Sequence, residues 1–190
     1  FDLRMNRQLQ AVGGVYMRYS DDILLIIPGG EAEARHWHDV AAEELPKHGG
    51  AMAIATEKSQ IIAFEPSPDG QSYRQVLGAK TLHGLEYLGF RYDGHGVYIR
   101  NSTLSNLRRK VARNAKASAW ACAKRYPDKT ADQLKSFLEV NKLVERFGRV
   151  ADFGRTASAP ESWTFWTYAV RAAAAFGPDG RFIRRQMRNH

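Results

Sequence analysis

Residues 13–30, GGVYMRYSDDILLIIPGG, carry the clearest secondary-structure pattern in the chain. Large apolar or aromatic side chains recur at every second position over residues 15–19, which is the period of a β-strand. Residues 23–27 form an unbroken apolar run of the kind found in buried strands, and Pro28 with two glycines ends it. We therefore predict a strand, a tight turn and a second strand, with Asp21 and Asp22 at the turn.

The two adjacent aspartates interrupt an otherwise apolar stretch. A buried carboxylate is destabilising unless a counter-charge or a metal ion compensates it. Asp21 and Asp22 together offer hard oxygen ligands of the kind that Mg²⁺ prefers, and a pair of such ions is a common catalytic centre for phosphoryl chemistry. The alternative is an ordinary hairpin turn, where aspartate is also favoured. Taken alone, the pair favours the ordinary turn.

The net charge of +8 is distributed unevenly along the 190 residues. Residues 1–99 carry 9 Lys and Arg against 13 Asp and Glu, whereas residues 100–190 carry 19 against 7. Such asymmetry indicates that the second half contacts a polyanion. A solvated basic surface is the alternative interpretation.

The remaining composition bounds the location of the protein. Cys122 is the single cysteine, so no internal disulfide can form, and we expect a cytoplasmic protein. No apolar run approaches the roughly 20 residues that cross a bilayer, and we expect neither a signal peptide nor a membrane partner. The chain begins at Phe1 rather than Met, and we expect an upstream segment.

The patterns along the chain predict an α+β part followed by a basic helical part. In residues 1–100, a helix precedes the aspartate hairpin and an amphipathic helix follows it. Short strands are expected over residues 51–64 and 75–100, with a surface loop over residues 65–72 and a hairpin turn at Asp93–Gly94. In residues 101–190, helical spacing predicts segments over about 102–126, 130–149 and 161–176.

Three motifs, in order, resemble those of reverse transcriptases. Tyr19-Ser20-Asp21-Asp22 resembles the Tyr-X-Asp-Asp motif, which forms the catalytic hairpin of the palm domain in that family. TEKSQIIAF, residues 56–64, resembles the lysine-bearing motif, and LEYLGFRYDG, residues 85–94, resembles the Leu-Gly-Phe primer grip that precedes the thumb. With VYIRNSTLSNLRRK at residues 97–110, the pattern is most similar to bacterial enzymes of the group II intron and retron type, especially the defence-associated or abortive-infection-like group.

The resemblance implies a fold and an activity. Residues 1–100 would form the C-terminal part of a polymerase palm, an antiparallel sheet with a helix, and residues 101–190 a basic, all-helical thumb. The activity would be RNA-directed DNA synthesis by two-metal nucleotidyl transfer, with two Mg²⁺ ions or Mn²⁺ in their place. The biological setting would be antiphage defence or a mobile element.

The resemblance also assigns roles to individual residues. Asp21 would be the principal metal ligand and Asp22 the supporting one, and Lys58 would stabilise the departing pyrophosphate. Contacts to primer or nucleotide would come from Tyr19, Tyr87, Leu88 and Gly89. Contacts to the phosphates of a template–primer duplex would come from Arg108, Arg109, Lys110, Arg113 and Lys116. Solvated surface positions for the cations and ordinary core packing for the aromatics remain the alternatives.

A reverse transcriptase also needs an earlier palm aspartate and a fingers domain. Asp2 lies only 19 residues before Asp21, which leaves no room for the conserved block that separates the two aspartate motifs in the family. We therefore place Asp2 in the helix that enters the hairpin and expect the isolated chain to be inactive. The implied partners are an RNA template, a DNA primer or product, dNTPs, the upstream palm–fingers segment or chain and, as a further candidate, a noncoding RNA.

Two other functions fit the same sequence. One is a reverse-transcriptase-like polymerase that extends DNA without a conventional template or from a protein primer. The other is a catalytically silent nucleic-acid-binding module that retains the hairpin.

Overall fold

The computed structural model describes residues 1–78, 84–148 and 164–188, and over these residues the protein is α+β with small antiparallel sheets. The chain divides into two compact units, Phe1–His95 and Gly96–His190. This boundary lies just before residue 101, where the sequence predicts that the α+β part ends. The short strand Val97–Ile99 therefore belongs to the second, helical unit. No helix in the described part of the chain has both the length and the apolarity to cross a bilayer.

The first unit begins with a hairpin between two helices, as predicted. The elements are α1 (Asp2–Ala11), β1 (Val15–Tyr19), β2 (Asp22–Ile26) and α2 (Glu31–Glu44), followed by a short 3₁₀ helix, Leu45–His48. Met5 and Leu9 of α1 are fully buried and form a core with Ala41 of α2. Tyr16 and Leu25, paired across the hairpin, pack against this core. One face of the hairpin is therefore fixed to the helices.

Two more hairpins complete the first unit. Strands β3 (Ile61–Ser67) and β4 (Gly70–Leu77) pair around the turn Pro68–Asp69, and β5 (Leu85–Tyr87) and β6 (Phe90–Tyr92) pair around Leu88–Gly89. The rings of Phe64 and Tyr92 lie 5.2 Å apart between the hairpins, and the Tyr92 hydroxyl donates to Gln71 Oε1 at 2.9 Å.

Two of the predicted boundaries in this unit are wrong. The expected surface loop over residues 65–72 is mostly strand, because the pairing of β3 with β4 continues to Ser67 and Gly70. Residues 51–60 contain no strand. Asp93–Gly94 lies in the four-residue connection between β6 and the next strand, Val97–Ile99, and Leu88–Gly89 forms the turn between β5 and β6.

Over its described residues, 96–148 and 164–188, the second unit is helical apart from one short strand. Its elements are β7 (Val97–Ile99), α3 (Asn101–Arg125), α4 (Ala131–Phe137), α5 (Val140–Phe147), α6 (Phe165–Ala175), the 3₁₀ helix Gly177–Gly180 and α7 (Arg181–Arg188). The helix predicted over residues 130–149 is divided in two at Leu138–Glu139. The predicted start of the third helix, with Trp163, lies outside the described residues.

Strand β7 and helix α7 hold one end of this unit together. Ile99 and Ile183 are fully buried, and the ring of Tyr98 lies 5.0 Å from that of Phe182. The side-chain amide of Gln186 pairs with both backbone groups of Ile99: Ile99 N–H donates to Oε1 at 2.8 Å, and Nε2 donates to Ile99 O at 3.1 Å. Gln186 thus occupies the place of a neighbouring strand.

Candidate functional site

Asp21 and Asp22 lie at the tip of the β1–β2 hairpin. Tyr19 pairs with Asp22, so Ser20 and Asp21 form a two-residue turn, and Ser20 adopts the left-handed conformation with φ of 57°. Both aspartates are exposed. Among the described residues, neither carboxylate has a hydrogen-bond or salt-bridge partner, so both keep their full capacity to accept a ligand.

Arg18 holds this turn from its inner side. Its Nε donates to the Ser20 carbonyl at 2.8 Å, and its Nη1 donates to Asp2 Oδ1 at 3.1 Å. The Tyr16 hydroxyl donates to the same carboxylate. These bonds, first that of Tyr16 and then that of Arg18, lower the pKa of Asp2 below its usual value. The network ties the turn to the first turn of α1, where the sequence places Asp2.

The outer face of the hairpin is apolar and uncovered. Cross-strand partners share a face, so Val15 with Ile26, Met17 with Leu24, and Tyr19 with Asp22 all lie on the side opposite the core. Val15, Met17 and Ile26 are between 41% and 49% exposed. Strands β1 and β2 pair only with each other within the described chain. Within the described chain, the hairpin therefore presents an exposed apolar face and unpaired strand edges.

The β5–β6 hairpin brings Tyr87 near Asp22. Burial, and then the negative charge of Asp22, raise the pKa of Tyr87. The next two residues, Leu88 and Gly89, have φ of 47° and 82°, which is the pattern of a type I′ turn. Leu88 is an uncommon residue at such a φ, and its side chain is exposed. The structure therefore brings the third of the three motifs, through Tyr87, into electrostatic reach of the first.

The Lys58 side chain has no hydrogen-bond or salt-bridge partner among the described residues. Lys58 lies in the turn before β3, where its backbone N–H donates to the Ala55 carbonyl at 3.0 Å. The side chain is exposed and, in the part of the chain that the structure describes, forms no hydrogen bond or salt bridge to Asp21 or Asp22. The role assigned to Lys58 remains a prediction.

The five predicted phosphate-binding cations all lie on α3 and are exposed. At about 100° per residue, Arg109, Arg113 and Lys116 share one side of the helix. Arg108 and Lys110 point away from that side by roughly 80° or more. The helix contains no acidic residue. The structure therefore divides the predicted set of five into a stripe of three and two outliers.

Two features of the site had only weak sequence signals. Arg18 could have been recognised from its alternation with Tyr16, which puts both on the inner face and within reach of the preceding helix. Trp120, on the same side of α3 as the stripe, is 78% exposed and was not among the predicted contacts. Its signal was the spacing of four residues from Lys116 and from Lys124.

The donor set at the hairpin tip has the chemistry that Mg²⁺ prefers, but two carboxylates are too few to enclose a pair of ions. The exposed, unpartnered carboxylates of Asp21 and Asp22 are ligands of the right chemical class. Among the described residues, no group of three or more His, Cys, Asp and Glu side chains is arranged to hold a metal ion. No protein-family model matches the chain, and no curated protein sequence matches it.

Proposed function

We propose that this chain is the C-terminal palm and thumb portion of an RNA-directed DNA polymerase. The observation that carries the proposal is the hairpin tip, where two adjacent carboxylates are exposed without partners on a turn that Arg18 fixes from below. The reaction class, nucleotidyl transfer, is proposed from the resemblance of the Tyr-Ser-Asp-Asp motif to that of reverse transcriptases.

Asp21 and Asp22 would hold the catalytic metals. Bound Mg²⁺ would activate the attacking hydroxyl of a primer and stabilise the leaving phosphate oxygen. The chain's own contribution is to keep two negative charges fixed at the same edge. A single Asp-Asp turn cannot surround two ions, and we propose that an upstream palm segment supplies the remaining ligands, covering the apolar face of the hairpin as it does so.

The neighbouring residues would position the nucleic acid and nucleotide. Tyr19 shares the outer face with Asp22, and Tyr87 lies within electrostatic reach of the same carboxylate. The Leu88–Gly89 turn exposes backbone that can approach a primer strand closely. Lys58 is proposed to stabilise the pyrophosphate, and the cations of α3 to bind phosphates of the template–primer duplex.

The experiment requires the missing half of the polymerase. The upstream segment is supplied in trans or on the intact chain, and incorporation of dNTPs is measured on a primed RNA template with Mg²⁺. We expect Asp21→Asn to abolish incorporation and leave folding intact, since the amide is nearly isosteric. The matched control is Asp69→Asn, which makes the same change at the exposed turn between β3 and β4. Near-normal incorporation by Asp21→Asn would overturn the assignment.

The same assay separates the alternative functions. Incorporation that persists when the template is omitted indicates non-templated synthesis, and label that stays attached to protein indicates a protein primer. Nucleic-acid binding with no incorporation, even with the upstream half present, identifies a silent binding module. The proposed setting in antiphage defence or a mobile element rests on the resemblance of residues 97–110.

A further inference from the structure

Trp120 is the most exposed large apolar side chain of the described residues, at 78%. It lies on the side of α3 opposite the packed face, because the buried Leu104 and Cys122 point about 160° away from it around the helix. A tryptophan so exposed contributes little to the core of its own unit. Its exposure needs another explanation.

Trp120 lies in a line of four cations. Arg109, Arg113, Lys116, Trp120 and Lys124 follow one another at intervals of four, three, four and four residues. At about 100° per residue, the four cations fall within roughly 40° of the direction of Trp120. None of them forms a salt bridge within the described residues, although Arg109 donates to the neutral Asn106 side chain at 2.9 Å. The stripe runs for about 22 Å along the helix.

A groove opens beside Trp120, between the C-terminal half of α3 and helix α4. Its volume is about 810 Å³, within the range of ligand sites. The walls are mostly apolar: Ala119, Trp120, Ala123, Ala131, Leu134 and Leu138. Tyr126 stacks on Phe137 with ring centroids 4.7 Å apart and thereby holds α4 against the end of α3. Lys124 and Lys135 also border the groove, and Lys135 pairs with Asp132 at 2.7 Å.

We propose that Trp120 stacks on an unpaired base of single-stranded nucleic acid whose phosphates follow the four cations. Aromatic stacking combined with a basic track is the general means by which proteins bind single strands without reading sequence. A base in a duplex is already stacked on its neighbours, so its face is not available to Trp120. The absence of acidic residues from α3 favours a polyanion over an apolar protein partner. The inference rests on the nucleic-acid binding included in the proposed function. It adds that the bound nucleic acid is single-stranded and that Trp120 contacts one of its bases.

The test measures binding of the 190-residue chain to three labelled probes of about 20 nucleotides, longer than the roughly 4–16 nucleotides of a typical single-strand site. The probes are oligo-dT, an abasic strand with the same phosphates, and a duplex. Fluorescence anisotropy gives the affinities at several salt concentrations. We expect the wild-type chain to bind oligo-dT about 5-fold to 100-fold more tightly than the abasic strand. This comparison requires no variant.

The variants assign the difference to Trp120. Trp120→Ala should remove the preference for oligo-dT and leave the abasic affinity unchanged, and Trp120→Phe should keep most of it. The matched apolar control is Val140→Ala, which truncates an exposed side chain on α5. Lys116→Gln should weaken binding of both single strands and lower the salt slope by about 0.7, whereas Lys129→Gln, at an exposed position beyond the end of α3, should do less.

Several results would overturn the inference: equal wild-type affinity for oligo-dT and the abasic strand, or an equal loss of duplex and single-strand binding in Trp120→Ala. A change in oligomeric state with unchanged oligo-dT affinity would assign Trp120 to a contact between copies of the chain. No catalytic step enters the measurement. A failure of polymerisation would therefore leave the inference standing, and duplex binding without single-strand binding would remove it while leaving the proposed function intact.

Discussion

The pairing of Gln186 with Ile99 leads to a prediction whose size follows from the structure. Truncation in Gln186→Ala removes the acceptor of Ile99 N–H and the donor to Ile99 O. Ile99 is 0% exposed, so water cannot replace either partner without opening the unit. A buried polar group left unpaired costs about 1–3 kcal/mol. With partial relaxation, we expect the second unit to lose about 2–4 kcal/mol of stability.

Native-state hydrogen exchange at the Ile99 amide, together with urea unfolding followed by helical circular dichroism, measures this loss. The Ile99 amide should exchange about 30-fold to 1,000-fold faster, and the unfolding midpoint should fall with little change in m-value. Gln186→Glu keeps an acceptor for Ile99 N–H but cannot donate to the carbonyl, so its effect should be intermediate. Arg185→Ala, an exposed position on the same helix, is the control. Equal effects of Gln186→Ala and Arg185→Ala would refute the reasoning.

Three further predictions address other parts of the chain. Gly96→Ala should destabilise the second unit by more than about 2 kcal/mol in urea unfolding, because the added Cβ overlaps the ring of Phe182; a neutral result would contradict the packing. The hydrogen bond from Lys47, and then that from His48, lowers the pKa of Glu44 below its ordinary value of 4.5. Ionised Glu44 therefore stabilises the first unit above that pH, and this contribution is lost as the pH falls. Melting temperatures measured against pH should therefore show a flatter acid limb for Glu44→Gln, and parallel curves would refute the role. Met17→Lys should reduce self-association of the isolated chain in sedimentation without lowering its melting temperature, since Met17 lies on the uncovered face of the hairpin; unchanged association would mean that this face is not adhesive.

The aspartate hairpin could be predicted from sequence because several local signals agree there. The period of two over residues 15–19, the apolar run over residues 23–27 and the flanking glycines all favour the same strand–turn–strand. The position of Asp2 in α1 followed from its distance to Asp21, and the structure confirms it. The division into an α+β part and a helical part followed from the change in charge and period near residue 100.

The β3–β4 hairpin shows where local signals fail. Residues 65–72 are rich in Pro, Ser, Asp and Gly, which favour turns, yet the structure confines the turn to Pro68–Asp69. The flanking polar residues remain in the strands because of contacts distant in sequence: Gln71 N–H donates to the Gly94 carbonyl at 3.0 Å, and Gln71 Oε1 accepts from Tyr92. Strand preference depends on such neighbours more than on the residue itself.

The basic helix shows a different limit. Helical spacing predicted a helix over about residues 102–126, and the structure has one at Asn101–Arg125, but the five cations on it were treated as a single set. Their angular positions follow from the period of the helix, but which of them face away from the packed side depends on the face that the helix buries, and the buried Leu104 and Cys122 define that face. Trp120 was missed for the same reason, because an aromatic residue on an amphipathic helix is usually assigned to the core until its exposure is known.

The register of the β1–β2 hairpin links the two unusual properties of the candidate site. Because Tyr19 pairs with Asp22, the Asp22 carboxylate lies on the same face as Val15, Met17, Leu24 and Ile26, and a shift of one residue would turn it toward the core. Any element that covers this apolar face is therefore brought to the side on which Asp22 is free to bind a ligand. Burial of the face and completion of a carboxylate site would be one event, and the same physical contact would supply both the stability and the remaining ligands. On this reasoning, the exposed face is a requirement of the proposed active site, since a face already closed within this chain would exclude the segment that must complete it.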